Sequence, residues 1–350
     1  PELEHKDAVL LLGFDPSTEV PLVELWIKKA ALRHGAKVLI ANPRQVELGR
    51  YGGPWLGYRP GSEAVLLNGL ARAIVDAGAE GHSAPAANLG EFETWLKAYN
   101  PQQVERLTGV EAVALQEAGQ ILAQAKDPII LYGTNWVRGA GPNTEEQVRD
   151  ALANLALLLG GIETGFVAED NNTLGALEMA VVPDLYPGQL PFKDNKVRNR
   201  LASFWGGRLS PGEGLDLDGM IAAGREGALK AMWIMGADPA NDCRRAGDAL
   251  GRVPFLVVQD LFMTDSASLA EVVLPAASFA ETGGSLFNVT GRLQALRAAM
   301  RPPGQARPDW WVLVEAANRL APGKQEQAWD FSGPADVLSE IARALPGYRG

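Results

Sequence analysis

Residues 230–275 read KAMWIMGADPANDCRRAGDALGRVPFLVVQDLFMTDSASLAEVVLP, and the fold follows from this stretch. A short apolar run, Ala231 to Met235, is closed by Gly236-Ala237-Asp238-Pro239. A helical segment follows, then a second apolar run, Phe255 to Val258, ending on Gln259-Asp260. A third run, Glu271 to Leu274, ends on Pro275. Apolar runs of this length, alternating with helical segments, are strands of a parallel sheet buried on both faces. In such sheets ligands sit beyond the carboxyl ends of the strands. Gly236, Asp238, Gln259 and Asp260 fall there, which makes them candidate binding residues.

The start of the chain repeats the design. Ala8 to Leu12 is apolar and Gly13-Phe14-Asp15-Pro16 follows. A helix pattern runs from Pro21 to His34, and Val38 to Ala41 ends on Asn42-Pro43-Arg44. Glycine permits positive φ or a close approach of backbone to a ligand. Proline at a first helical position sets the helix start, with its free amides facing any anion. Either both Gly-x-Asp-Pro segments are strand-to-helix turns, or they line a binding cleft between two similar lobes.

The 350 residues are 47% hydrophobic and 21% charged, which suits a globular chain of more than one domain. No apolar run approaches the roughly 20 residues needed to span a bilayer. The net charge of −10 argues against a nucleic-acid or anionic-membrane surface. A single cysteine, Cys243, excludes internal disulfides and any four-cysteine cluster built from these residues alone. His5, His34 and His82 have no spacing that makes a metal pair. No signal segment opens the sequence, and Pro1 is expected to be an internal point of a longer chain.

Along the chain, the expected divisions are a first α/β domain over 1–126, a second over 127–321, and a linker with a terminal helix over 322–350. Ser62 is placed to cap the helix Ala64 to Asp76. Thr108 and Glu111 have capping-box spacing. Glu169-Asp170-Asn171-Asn172 either hydrogen-bonds a ligand or forms a solvated turn. Glu281 and Arg292 are expected to pair across the Gly283-Gly284 turn.

The order of these blocks resembles the molybdopterin oxidoreductase family. The blocks are Leu12 to Pro16, His34 to Glu47, Asp170 to Ala176, Met235 to Pro239, Val257 to Thr264, Ala270 to Gly284 and Arg307 to Trp310. The resemblance implies two Rossmann-like domains with mostly parallel sheets flanked by helices. In cofactor-bearing members these clasp two pyranopterin guanine dinucleotides around molybdenum. Carried over residue by residue, the nucleotide-facing positions are Gly13, Asp15, Asn42, Arg44, Asn171, Asn172, Gly236, Asp238, Gln259, Asp260 and Thr264.

The sequence departs from the family pattern in two places. Asn42 stands where the family has an acid, and Glu169-Asp170 place carboxylates before Asn171. Carboxylates close to a pyrophosphate in a low-dielectric cleft repel it. The terminal helix and Pro346-Gly347-Tyr348 resemble the G subunit of respiratory complex I, NADH-quinone oxidoreductase. That resemblance implies a scaffold with a vacant cleft and no cofactor in these residues. It also implies iron–sulfur clusters elsewhere in the full protein and other peripheral-arm subunits of complex I as partners. The location it implies is cytoplasmic, peripheral to the inner membrane and without direct insertion. The alternative is part of a molybdenum bis-molybdopterin guanine dinucleotide enzyme, such as a formate dehydrogenase or nitrate reductase.

Overall fold

The computed structural model describes residues 2–78, 89–134, 136, 145–168, 170–320 and 329–348. Strand β1 (Ala8–Leu12) is buried at all five positions. It pairs in parallel with β2 (Lys37–Ala41) on one side and β4 (Pro128–Gly133) on the other. Strands β3 (Trp55–Leu56) and β5 (Thr164–Val167) complete a sheet of order β3-β2-β1-β4-β5. Two helices follow β1, the short α1 (Pro16–Glu19) and then α2 (Pro21–His34). Helices α3 (Glu63–Asp76), α4 (Leu89–Leu96), α5 (Pro101–Thr108), α6 (Ala112–Gln124) and α7 (Glu145–Leu158) complete this unit.

Alternation along β1 decides the layers. Ala8, Leu10 and Leu12 enter the larger core with Leu66, Leu70 and Ile74 of α3. Val9 and Leu11 enter the smaller core on the other face with Ile27 of α2. The all-apolar strand is thus the consequence of having helices on both faces.

In the second unit, β8 (Met232–Met235), β9 (Leu256–Asp260) and β10 (Val272–Pro275) form a parallel sheet of order β10-β9-β8. Two antiparallel ribbons accompany it, β6 (Leu185–Tyr186) with β7 (Leu190–Pro191) and β11 (Gly284–Phe287) with β12 (Leu293–Leu296). The helices are α8 (Thr173–Glu178), α9 (Asn195–Trp205), α10 (Leu217–Arg225), α11 (Pro239–Asp242), α12 (Ala246–Leu250), α13 (Asp265–Ser268), α14 (Asp309–Leu320) and α15 (Pro334–Ala344). Its core is small and centres on Ile234, Leu250, Leu256 and Val258.

The two compact units are residues 1–170 and 171–350. The expected division near 126 falls ahead of β4, which adds in parallel to β1 and stays with the first unit. Within each unit the repeated segment builds the same device. The orders β3-β2-β1 and β10-β9-β8 correspond strand for strand, and the first sheet adds β4 and β5 beyond β1.

Three local expectations change. Ser62 Oγ donates to the Arg59 carbonyl at 2.6 Å and makes no cap to α3. Thr108 ends α5 instead of opening α6: its Oγ1 donates to the Val104 carbonyl and accepts from Val110 N–H. Glu281 accepts from Ser278 N–H at 2.9 Å, so its carboxylate closes its own turn and does not seek Arg292.

Candidate functional site

In the first unit, β1 ends at Gly13, whose φ of 69° lies in the left-handed region. A Cβ there would meet the Trp136 side chain at 2.8 Å, so only glycine fits. Gly13 N–H donates to the Ala41 carbonyl at 2.8 Å, which ties the end of β1 to the end of β2. Asp15 then caps α1 by accepting from Ser17 N–H and Ser17 Oγ. Asn42, just past β2, is 6% exposed. Its Oδ1 accepts from Arg44 N–H at 2.9 Å and its Nδ2 donates to the Phe14 carbonyl at 3.4 Å. A carboxylate could not make the second bond. The Arg44 side chain is exposed at this edge.

The second unit repeats the arrangement. Gly236 has φ 59°, and its N–H donates to the Gln259 carbonyl at 2.9 Å, the counterpart of the Gly13–Ala41 bond. A Cβ at Gly236 would meet nothing within 4 Å, so backbone at this strand end faces open space. Asp238 does not cap its own helix α11. It reaches to α13, where Oδ1 accepts from Ser266 N–H at 2.8 Å and Ser266 Oγ at 2.6 Å. The hydroxyl bond from Ser266 is the main cause holding the Asp238 carboxyl below the usual carboxylate range. Thr264 Oγ1 caps α13 at Ala267 N–H.

Gln259 is fully buried at the carboxyl end of β9. Its Nε2 donates to Asp309 Oδ1 at 2.5 Å, while its Oε1 has no partner among the described residues. A buried acceptor without a donor costs about 1–3 kcal/mol, and at a strand end a water or a ligand donor satisfies it. Asp309 is exposed as a residue, yet its carboxyl is partly withdrawn from water beside Gln259. That burial pushes its pKa up, the Asp260 charge adds, and the bond from Gln259 opposes. No local signal in the sequence pairs Gln259 with Asp309, fifty positions away.

Asn171 and Asn172 behave differently from the strand-end residues. Asn172 has φ 63°, and its Oδ1 accepts from Phe287 N–H of β11 at 2.9 Å. Asn171 is exposed in the turn before it. So Asn172 is held by the β11–β12 ribbon, and Glu169 lies outside the described residues.

Two of the carboxylates at the strand ends have defined partners. Asp238 accepts from Ser266 and Asp265 N–H, and Asp260 accepts from Leu261 and Phe262 N–H. These bonds fix where the two carboxylates point, and both keep their negative charge. The helices after Pro16 and Pro239 are each only four residues long, so the dipoles expected there are short.

Residues 1–319 match the family described as molybdopterin oxidoreductase. The chain belongs to that family. Among its relatives, the NADPH-Fe(3+) oxidoreductase subunit alpha of Geobacter sulfurreducens is 32% identical over 99% of this chain and 41% of its own. The F420-dependent formate dehydrogenase subunit alpha of Methanocaldococcus jannaschii is 30% identical over 100% of this chain and 52% of its own. Formate dehydrogenase H of Escherichia coli is 29% identical over 100% of this chain and 49% of its own. The chain therefore spans about half or less of the length of these relatives. Acetylene hydratase from Pelobacter acetylenicus shares the fold, with TM-score 0.70, 17% identity and coverage of 98% of this chain and 51% of that one.

These relatives carry the family assignment but not the narrower expectation of a complex I G subunit. Membership of the molybdopterin oxidoreductases implies a molybdenum–pterin cofactor, so the expected vacancy has no support from the family. The residues present fit such a group. Gly236 leaves open space at a strand end, Gln259 offers an orphaned acceptor, and the carboxylates of Asp238 and Asp260 are held by backbone N–H groups.

Proposed function

We propose that this chain is the part of a molybdenum-dependent oxidoreductase of formate-dehydrogenase type that holds the pterin dinucleotides. The observation that carries this reading is Gln259, fully buried at a strand carboxyl end with Oε1 unpartnered. The similarity to formate dehydrogenases over the full chain supports it. When bound, the cofactor supplies the metal redox centre.

The chain's own residues bind and orient it. Gly236 leaves backbone open to a ligand at the end of β8, whereas Gly13 makes room for Trp136. Arg44 offers a charged donor to phosphate at the first edge. Gln259 accepts from a nucleotide N–H at the second, its amide fixed by Asp309. Asp15 and Asp238 shape the turns without touching the ligand. In this reading the iron–sulfur clusters and partner subunits belong with segments beyond residues 1–350. The test is formate-dependent reduction of a viologen dye by the full-length, molybdenum-loaded protein. Turnover is expected. Full metal loading without turnover would remove formate as the substrate and leave the family assignment intact.

A further inference from the structure

A pocket of about 610 Å³ lies in the helical layer of the second unit. Helix α10 lines it with Asp218 and Arg225, and the link from α11 to α12 lines it with Cys243, Arg244 and Arg245. Arg225 ends the helix that feeds the amino end of β8, the opposite edge of the sheet from Gly236. The pocket shares no residue with the strand-end set.

Three guanidinium groups line one pocket in a chain of net charge −10. The ion pairs described in this unit are Lys193–Glu213, Arg319–Glu315 and Arg343–Glu340, and none involves these three arginines. Asp218 is the one carboxylate in the lining, so three cations meet one anion, and the excess positive charge favours binding of an anion. The geometry is also held. Arg225 Nη2 donates to the Arg245 carbonyl at 3.3 Å, and Arg252 Nη1 donates to the Arg225 carbonyl at 3.0 Å. Arg245 has φ 70°, a conformation unusual for a residue with a Cβ, at the turn that places Arg244 and Arg245 on the same pocket.

We propose that this pocket binds a phosphorylated small molecule of the nucleotide or sugar-phosphate class. Arg225, Arg244 and Arg245 take the phosphate, because the planar guanidinium fork matches phosphate oxygens. Asp218 accepts from the hydroxyls of the sugar. The volume suits such a ligand, since small-molecule pockets run from about 300 to 1,000 Å³.

The test is calorimetric titration of the full-length protein with ADP, ribose 5-phosphate and pyrophosphate. Saturable binding of ADP or ribose 5-phosphate, tighter than pyrophosphate, is expected, and which of the two binds better separates a nucleotide site from a sugar-phosphate site. The double variant R225Q/R244Q should raise Kd at least about tenfold, the loss of one charge-assisted hydrogen bond. Asp218→Asn should weaken the two sugar ligands and leave pyrophosphate unchanged. Arg343→Gln, outside the pocket, is the matched control for lost charge. Thermal unfolding establishes that each variant folds, and unchanged molybdenum content separates this site from the cofactor site. Absence of phosphate binding at millimolar concentration, or binding indifferent to R225Q/R244Q, would overturn the proposal. Equal affinity for pyrophosphate and ADP would overturn its sugar-binding half.

Discussion

Asn42 and Asp309 each hold a polar partner that the residue types alone do not announce. Asn42 uses both ends of its amide, one on Arg44 N–H and one on the Phe14 carbonyl. Asn42→Asp turns the second contact into a repulsion in a buried position. Urea unfolding should show a loss of about 1–3 kcal/mol at neutral pH, the cost of an unsatisfied buried group. A variant as stable as the parent would contradict the role given to the Phe14 contact. Asp309 has a folded pKa raised above the usual carboxylate value, chiefly by burial. The folded state therefore binds its proton more tightly than the unfolded state, and stability from this group falls as pH rises through the raised value. Asp309→Asn keeps an acceptor for Gln259 and removes the charge. Its Tm relative to the parent should rise with pH over that window, and parallel Tm curves would refute the assignment. The sequence marked Asp238 and Asp260 as charges facing a ligand, because residue type and strand-end position were all it offered. Their real partners, Ser266 N–H and the Leu261 and Phe262 amides, appear only when the chain is folded.

At the scale of elements, apolar runs were enough to read β1, β2, β8, β9 and β10; β1 is covered on both faces and carries no polar alternation, whereas β10 alternates half-buried and exposed positions although its residues are apolar. The correspondence of β3-β2-β1 with β10-β9-β8 was half legible, as a repeated strand, Gly-x-Asp-Pro and strand. The matching bonds Gly13 to Ala41 and Gly236 to Gln259 were not, since they depend on register. The Thr108 capping box failed because α5 runs one residue into the proposed cap and its hydroxyl turns back to Val104. The link between α11 and α13 is likewise tertiary. Ser266 Oγ donates to Asp238 and accepts from Ala240 N–H at 3.0 Å, joining two short helices that have little packing of their own. Ser266→Ala should lower the Tm of the second unit by about 2–4 °C, the shift for one net hydrogen bond. Asp238, with its lowered folded pKa, contributes stability above the usual carboxylate value and loses it as pH falls through the folded value. The variant should therefore lose stability at neutral pH and show a shallower acid decline. An unchanged Tm would mean that packing and the backbone N–H bonds from Asp265 and Ser266 to Asp238 hold the two helices without the hydroxyl.

For the whole molecule, the order of sequence blocks was legible as a family resemblance, and the match over residues 1–319 bears it out. The choice within the family was not legible, because the reading leaned on the terminal helix with Pro346-Gly347-Tyr348 and on the acids at 169, 170, 238 and 260. Two of those, Asp238 and Asp260, are occupied by backbone amides. No helix among the described residues is long and apolar enough to cross a membrane. The central claim is that the strand ends of this chain hold a molybdenum–pterin cofactor. The measurement that tests it most directly is the molybdenum and released pterin content of the full-length protein, purified under reducing conditions. The account predicts stoichiometric molybdenum with pterin, reduced in Gln259→Ala. Iron and sulfide without metal-bound pterin would contradict it and return the chain to the complex I scaffold reading.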